Sequence, residues 1–179
     1  SQVQRPHDVL GFHPCDYSPA ESGRWGKGFW DNIQAGFMMG KQVRINIRRM
    51  RLEDIPAVRA LWRTTLGLGE SDTRPSLLRY FRRNPGMSFV AVIGKEVVGT
   101  VLCGHDGRRG YLHHMAVESQ RRRRGIGLLL AANCLDALRR AGISRCNIFI
   151  NIKNKTARLF WQRMGWKLYR ANVRFMQCR

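Results

Sequence analysis

Apolar positions along this chain follow regular periods from Val43 onward and none before it. Val43 to Arg48 alternates apolar and polar side chains, the pattern of a strand with one buried face. From Leu52 to Thr65, Ile55, Val58, Leu61 and Trp62 recur at helical spacing, with Glu53 and Asp54 in the first turn, where negative charge is favoured. Pro75–Arg83 predicts a second helix, with Leu77, Leu78 and Phe81 on one side. Ser88–Ile93 and Glu96–Cys103 predict strands joined by the tight pair Gly94-Lys95. Arg109–Val117 predicts a further strand, after a turn at Gly104–Gly107. Gly125–Ala141 is the strongest helical stretch, stopped by Gly142. Cys146–Asn151 predicts a strand, Lys155–Met164 a helix ended by Gly165, and Trp166–Met176 a last strand or strand pair. Hairpins early and a β-α-β crossover late predict an α/β (α+β) fold: a mixed, mainly antiparallel twisted sheet of about six to seven strands flanked by about four helices.

Residues 1–42 differ in kind. Gly, Pro, Ser and isolated aromatics (Trp25, Phe29, Trp30, Phe37) predict an irregular extension with at most a short helix near Trp30–Met38. Residues 43–179 then form the one regular domain that 179 residues allow. The chain begins with Ser, and Met38 or Met39 is a candidate natural start. A 44% hydrophobic content is enough for a core and excludes global disorder. No apolar run approaches the ~18 residues that span a bilayer, and no secretory pattern opens the chain. The five cysteines (Cys15, Cys103, Cys134, Cys146, Cys178) are odd in number and lack C-x-x-C spacing, so free thiols in a reducing cytoplasm and no metal site are expected.

Charge narrows the partners. Residues 1–42 balance four basic side chains against four acidic ones, so the formal +20 of the chain lies wholly in residues 43–179. That field attracts anionic ligands, acidic partners or nucleic acid, and disfavours polycationic acceptors. The most specific anion-binding signal is Met115-Ala116-Val117-Glu118-Ser119-Gln120-Arg121-Arg122-Arg123-Arg124-Gly125-Ile126-Gly127. It runs from a predicted strand end into the longest predicted helix, whose first amides lack partners and carry positive dipole potential. Gly125 and Gly127 remove the Cβ atoms that would hold a phosphate away from the backbone.

Arg122-Arg123-Arg124-Gly125-Ile126-Gly127 resembles the Q/R-x-x-G-x-G/A signature of the GNAT superfamily of N-acetyltransferases. Arg48 to Asp54, Glu96-Val97-Val98-Gly99 and Asn154-Lys155-Thr156-Ala157 followed by Gly165-Trp166 are similar to further stretches of that family, so the resemblance covers roughly residues 43–179. It implies acetyl-CoA as co-substrate and a primary amine, of a small molecule, protein N-terminus or lysine, as acceptor. It implies that Met115, Ala116 and Val117 line the acetyl and pantetheine end, that Arg122, Arg123, Arg124, Gly125, Ile126, Gly127 and Leu128 hold the pyrophosphate, and that Asn154 contacts the pantetheine.

Acyl transfer to an amine needs a group that removes a proton, since an alkyl ammonium has a pKa of about 10.4. Strict alternation predicts Tyr111, His113, Met115 and Val117 on one strand face, with Leu112, His114 and Ala116 on the other. Tyr111-Leu112-His113 is similar to the His-Leu-His strand of arylalkylamine N-acetyltransferases, which implies His113 and Tyr111 as catalytic candidates; His114, on the other predicted face, is expected to be structural. Two positions depart from the family. Trp161 stands where a tyrosine usually protonates the leaving thiolate, and Phe149 where the ribosomal-protein branch carries an acidic base. Glu70 and Asp72, between the first two predicted helices, are carboxylates that would either meet a cationic acceptor or lie exposed. Two other readings stand beside the enzyme: a basic nucleic-acid- or ribosome-associated module, and a degenerate acyl-CoA sensor. A monomer or homodimer fits any of them.

Overall fold

Residues 44–168 are described by a computed structural model of the chain. They fall into two compact units that divide after Phe149. The first is built on a sheet in the order β1 (Ile45–Arg49), β2 (Phe89–Ile93), β3 (Glu96–His105), β4 (Gly110–Val117), β5 (Cys146–Ile148). The first four strands are antiparallel neighbours, and β5 joins β4 in parallel. Helices α1 (Ile55–Thr65), α2 (Arg74–Arg83) and α3 (Ile126–Arg140) complete this unit. The second unit holds α4 (Lys155–Arg163). The mixed, mainly antiparallel sheet and the four helices agree with the sequence pattern. Five strands are found among the described residues, one or two fewer than expected, because most of Trp166–Met176 lies outside those residues, as does the 1–42 extension.

Local chemistry explains the boundaries. Asp54 turns the chain from β1 into α1 by accepting Arg51 N–H at 2.7 Å and two bonds from the Arg48 guanidinium, both at 2.7 Å. Burial pushes the Asp54 carboxyl up, but those three donors outweigh it and hold the group below its ordinary value. Thr73 caps α2 by accepting Ser76 N–H. Gly142 ends α3 with φ 76°, a left-handed conformation that glycine adopts without strain.

The sheet has two occupied faces. On one, α1 and α2 bury Ile55, Val58, Leu61, Trp62 and Leu77 against Val90, Val92, Leu102 and Ala116. On the other, α3 approaches so closely that a Cβ at Gly110 would fall 2.5 Å from Leu138 Cδ1 and one at Gly99 would fall 3.0 Å from Ile126 Cγ2. Cys103 and Cys134 are free and buried, Cys146 is free and partly buried, and burial pushes the Cys134 and Cys146 thiols up, away from the reactive thiolate.

Candidate active site

Strand β4 is where the sheet opens. Its pairing with β5 covers Gly110↔Cys146, Tyr111↔Asn147 and Leu112↔Ile148, and then stops. On its other side β4 remains paired with β3 as far as Val117↔Gly99. The edge of β4 from His113 to Val117 therefore has no strand partner toward β5 among the described residues. The sequence anticipated β5 as far as Asn151; it ends at Ile148, and Phe149 beyond it is 72% exposed.

Strict alternation does not survive along β4. Ala116 pairs with Thr100 and His113 with Leu102, so three steps on β4 match two on β3, a β-bulge at His114 and Met115. His114 adopts φ 49°, unusual for a residue with a Cβ. The extra residue moves Ala116 onto the face of Tyr111 and His113, toward α1, and Val117 onto the face of Leu112. The expected grouping of Tyr111, His113, Met115 and Val117 on one face is corrected accordingly.

His114 is gripped from three sides. Its Nε2 lies 3.0 and 2.9 Å from the two Asp72 carboxylate oxygens, and its ring centroid is 4.5 Å from that of Trp62. Its carbonyl accepts the Thr100 hydroxyl, which in turn accepts Trp62 Nε1–H at 2.9 Å. Asp72 is 4% exposed and also accepts Gly69 N–H at 2.7 Å. It is thus neither an exposed loop acid nor free to meet a cationic acceptor, whereas Glu70 is exposed. Sequence reasoning missed this cluster. Its only trace in the sequence is a lone threonine inside the apolar run of β3.

Tyr111, His113 and Phe149 form a group of near-parallel rings with centroids 6.0 to 6.5 Å apart. The Tyr111 hydroxyl donates to Asp106 Oδ2 at 3.4 Å. Burial, with His114 adding a smaller contribution, pushes His113 below the usual imidazole value and keeps it neutral. A folded-state value below the unfolded one means that the unfolded chain takes up the proton first as pH falls. This part of the stability is complete above about pH 6.5 and declines as pH drops from there toward the folded value. His113→Gln is expected to remove that decline from urea unfolding followed between pH 8 and 5. Identical curves for the two proteins would refute the assignment.

From Val117 the chain passes through a short turn at Ser119–Arg121 into the junction with α3. Arg123 (φ 58°) and Gly125 (φ 74°) are both left-handed, and the α3 N-cap is Gly125, which offers no side-chain acceptor. The first i−4 bond closes at Leu129 N–H to Gly125 carbonyl, so the amides of Ile126, Gly127 and Leu128 have no partner within the helix. Arg122, Arg123 and Arg124 are exposed around them. Arg122 Nε–H donates to Val117 carbonyl at 3.1 Å, tying the loop to the strand end. Three amides without helical partners, the helix dipole and three exposed guanidinium groups place positive potential at this junction.

In the second unit Asn154 caps α4, its Oδ1 accepting Ala157 N–H at 2.9 Å, which leaves its amide N–H₂ as a donor. Trp161 packs edge-on against Trp166 (4.8 Å) and Phe160 (5.0 Å), as part of a ring cluster with no ionisable hydroxyl.

A mixed sheet that parts beside β4 is followed in the chain by an uncapped, glycine-opened helix. The model of the Acetyltransferase (GNAT) family matches residues 55–166, and the chain belongs to that family. Among curated proteins it is similar to N-alpha-acetyltransferase 30 of Xenopus laevis, 34% identical over 94 residues, 49% of this chain and 34% of that one. It thus spans about a third of that relative's length. It is also similar to acetyltransferase SG1711 of Sodalis glossinidius, 26% identical over 125 residues, 69% of this chain and 88% of that one. Among solved structures, PaiA N-acetyltransferase from Thermoplasma acidophilum in complex with coenzyme A shares the fold with a TM-score of 0.63 and 17% identity, over 72% of this chain and 93% of that one. No helix of the described residues is long and apolar enough to cross a membrane.

Proposed function

We propose that the protein transfers an acetyl group from acetyl-CoA directly to a primary amine, with a protein N-terminus as the acceptor class to try first. One observation carries the reading: the edge of β4 that has no strand partner among the described residues leads into the uncapped start of α3, so one continuous stretch would offer a strand-like partner and then an anion cradle. A pantetheine arm needs the first and a pyrophosphate the second. Met115, Ala116 and Val117 would line the arm, and Arg122 to Leu128 the pyrophosphate. The role of Asn154 toward the arm rests on the family pattern, and its free amide donor suits it. The fold is shared with a coenzyme A complex, and a curated relative is named as an N-alpha-acetyltransferase; both support the reading.

The choice of acceptor also has a chemical basis. An α-amine ionises near pH 7.7–8.0, about 2.5 units below a lysine side chain, so its reactive neutral form is far more abundant at neutral pH. In the reaction the neutral nitrogen attacks the thioester carbonyl, the C–S bond breaks, and CoA leaves as thiolate while the new amide loses one proton. Trp161 offers no acid for that thiolate, since an indole N–H does not ionise in this range. The thiolate would then leave unprotonated or take its proton from water.

The test is thiol release from acetyl-CoA across a panel of primary amines, led by peptides with free N-termini, beside melting curves with and without acetyl-CoA. Turnover with a peptide α-amine and a raised melting temperature are expected. Stabilisation without turnover on any acceptor would instead indicate a sensor. Salt-steep RNA binding with no response to acetyl-CoA would overturn the reading.

A further inference from the structure

His114 is held in a way that packing alone does not require. It occupies a left-handed conformation that a smaller residue would adopt more easily, at the one bulge of β4, on the strand that carries the proposed acetyl site. A bulge beside a site re-aims a side chain, and strained backbone persists where its surroundings enforce it. Here Thr100 fixes the carbonyl, Trp62 backs the ring, and Asp72 holds Nε2 with both oxygens.

The chemistry of the pair follows from its donors. Asp72 accepts Gly69 N–H, and a hydrogen on His114 Nε2 donated to the same carboxylate completes the contact. In a neutral imidazole that leaves Nδ1 as the basic lone pair. No partner for Nδ1 is found among the described residues, and the side chain is 32% exposed. A base oriented by a buried carboxylate is the recurring arrangement for activating a nucleophile. His113, by contrast, has no carboxylate partner among the described residues and is stacked with Tyr111 and Phe149. The titratable groups set around His114 are Asp72 from the α1–α2 loop and His113 on its own strand; α1 and β3 contribute Trp62 and Thr100, which do not titrate in this range.

We infer that His114, oriented by Asp72, is the group that takes the proton from the acceptor amine, at Nδ1. This rests on the acetyltransferase reading above. The amine nitrogen forms its bond to the acetyl carbon as the C–S bond breaks. Its proton moves to His114 Nδ1, the resulting imidazolium is stabilised by the Asp72 carboxylate, and solvent then removes the proton.

The experiment compares kcat/KM against pH for the wild type, His114→Gln, Asp72→Asn and His113→Gln, with acetyl-CoA binding measured by melting shift on each. His114→Gln is expected to lower kcat by about 10²-fold or more, to lose the acidic limb in the imidazole range, and to keep its acetyl-CoA shift. Added imidazole should restore part of its rate. Asp72→Asn should move the limb to lower pH, and His113→Gln should retain it. Should His114→Gln not fold, the direction of the Asp72→Asn limb decides. A limb that persists in His114→Gln, or disappears only in His113→Gln, overturns the inference and leaves the acetyltransferase reading standing. A wild type that binds no acetyl-CoA and releases no thiol overturns both.

Discussion

Gly125→Asp is expected to abolish the rise in melting temperature that acetyl-CoA gives the wild-type protein. Ligand present at 100 times its Kd stabilises a fold by about 2.7 kcal/mol, which for a chain of this size is a shift of about 5–10 °C. The substitution should remove it for two reasons that act at one point. Gly125 is the N-cap of α3, and a carboxylate there accepts from the same amides that the pyrophosphate would use. It also sets a negative charge against another one in a site whose attraction is electrostatic. The left-handed φ of 74° strains any side chain, although aspartate tolerates that region better than most, so the fold should survive. A loss of at least about 100-fold in affinity, about 2.7 kcal/mol, is expected by isothermal titration. A shift equal to that of the wild type would mean that the cofactor lies elsewhere.

That cradle was legible in the sequence because everything that makes it is local. Strand end, arginines, two glycines and helix start follow one another within thirteen residues, and helix-start chemistry depends only on neighbours. The helices and the first four strands were legible for a related reason, since a period of 2 or 3.6 reports which side of an element faces the core. What escaped is what tertiary contact decides. The bulge at His114 leaves no mark on the alternation of Tyr111 to Val117, because its origin is a register mismatch with β3. Asp72 reads as one more loop acid, and its burial becomes visible only when His114, 42 positions away, comes within hydrogen-bond reach. The early end of β5 is similar. Cys146 to Asn151 carries strand-like residues, but pairing with β4 lasts only to Ile148. Strand propensity cannot say where two strands part.

The second large effect belongs to Trp62, where the core and the bulge meet. Trp62→Ala is expected to cost about 3–5 kcal/mol, because the indole is fully buried among Ile55, Val58, Leu61 and Leu102 and its removal leaves a cavity that the sheet cannot close. Against a total stability of about 5–15 kcal/mol this is a large fraction, and it should lower the melting temperature by about 6–20 °C. Trp62→Phe separates the two contributions. It keeps most of the apolar volume and a ring beneath His114, yet takes away the N–H that Thr100 Oγ1 accepts at 2.9 Å in a wholly buried setting. The cost of leaving that acceptor unmatched is about 1–3 kcal/mol. Urea unfolding should therefore rank wild type above Trp62→Phe and Trp62→Ala last. If the ring and the hydrogen bond also hold the bulge in place, both variants should move the acidic limb of the rate profile, since the Thr100 hydroxyl fixes the His114 carbonyl. A Trp62→Ala protein within about 1 kcal/mol of the wild type would show that this side chain does not occupy the core. Lost stability with an unmoved limb would show instead that Asp72 alone sets the orientation of His114.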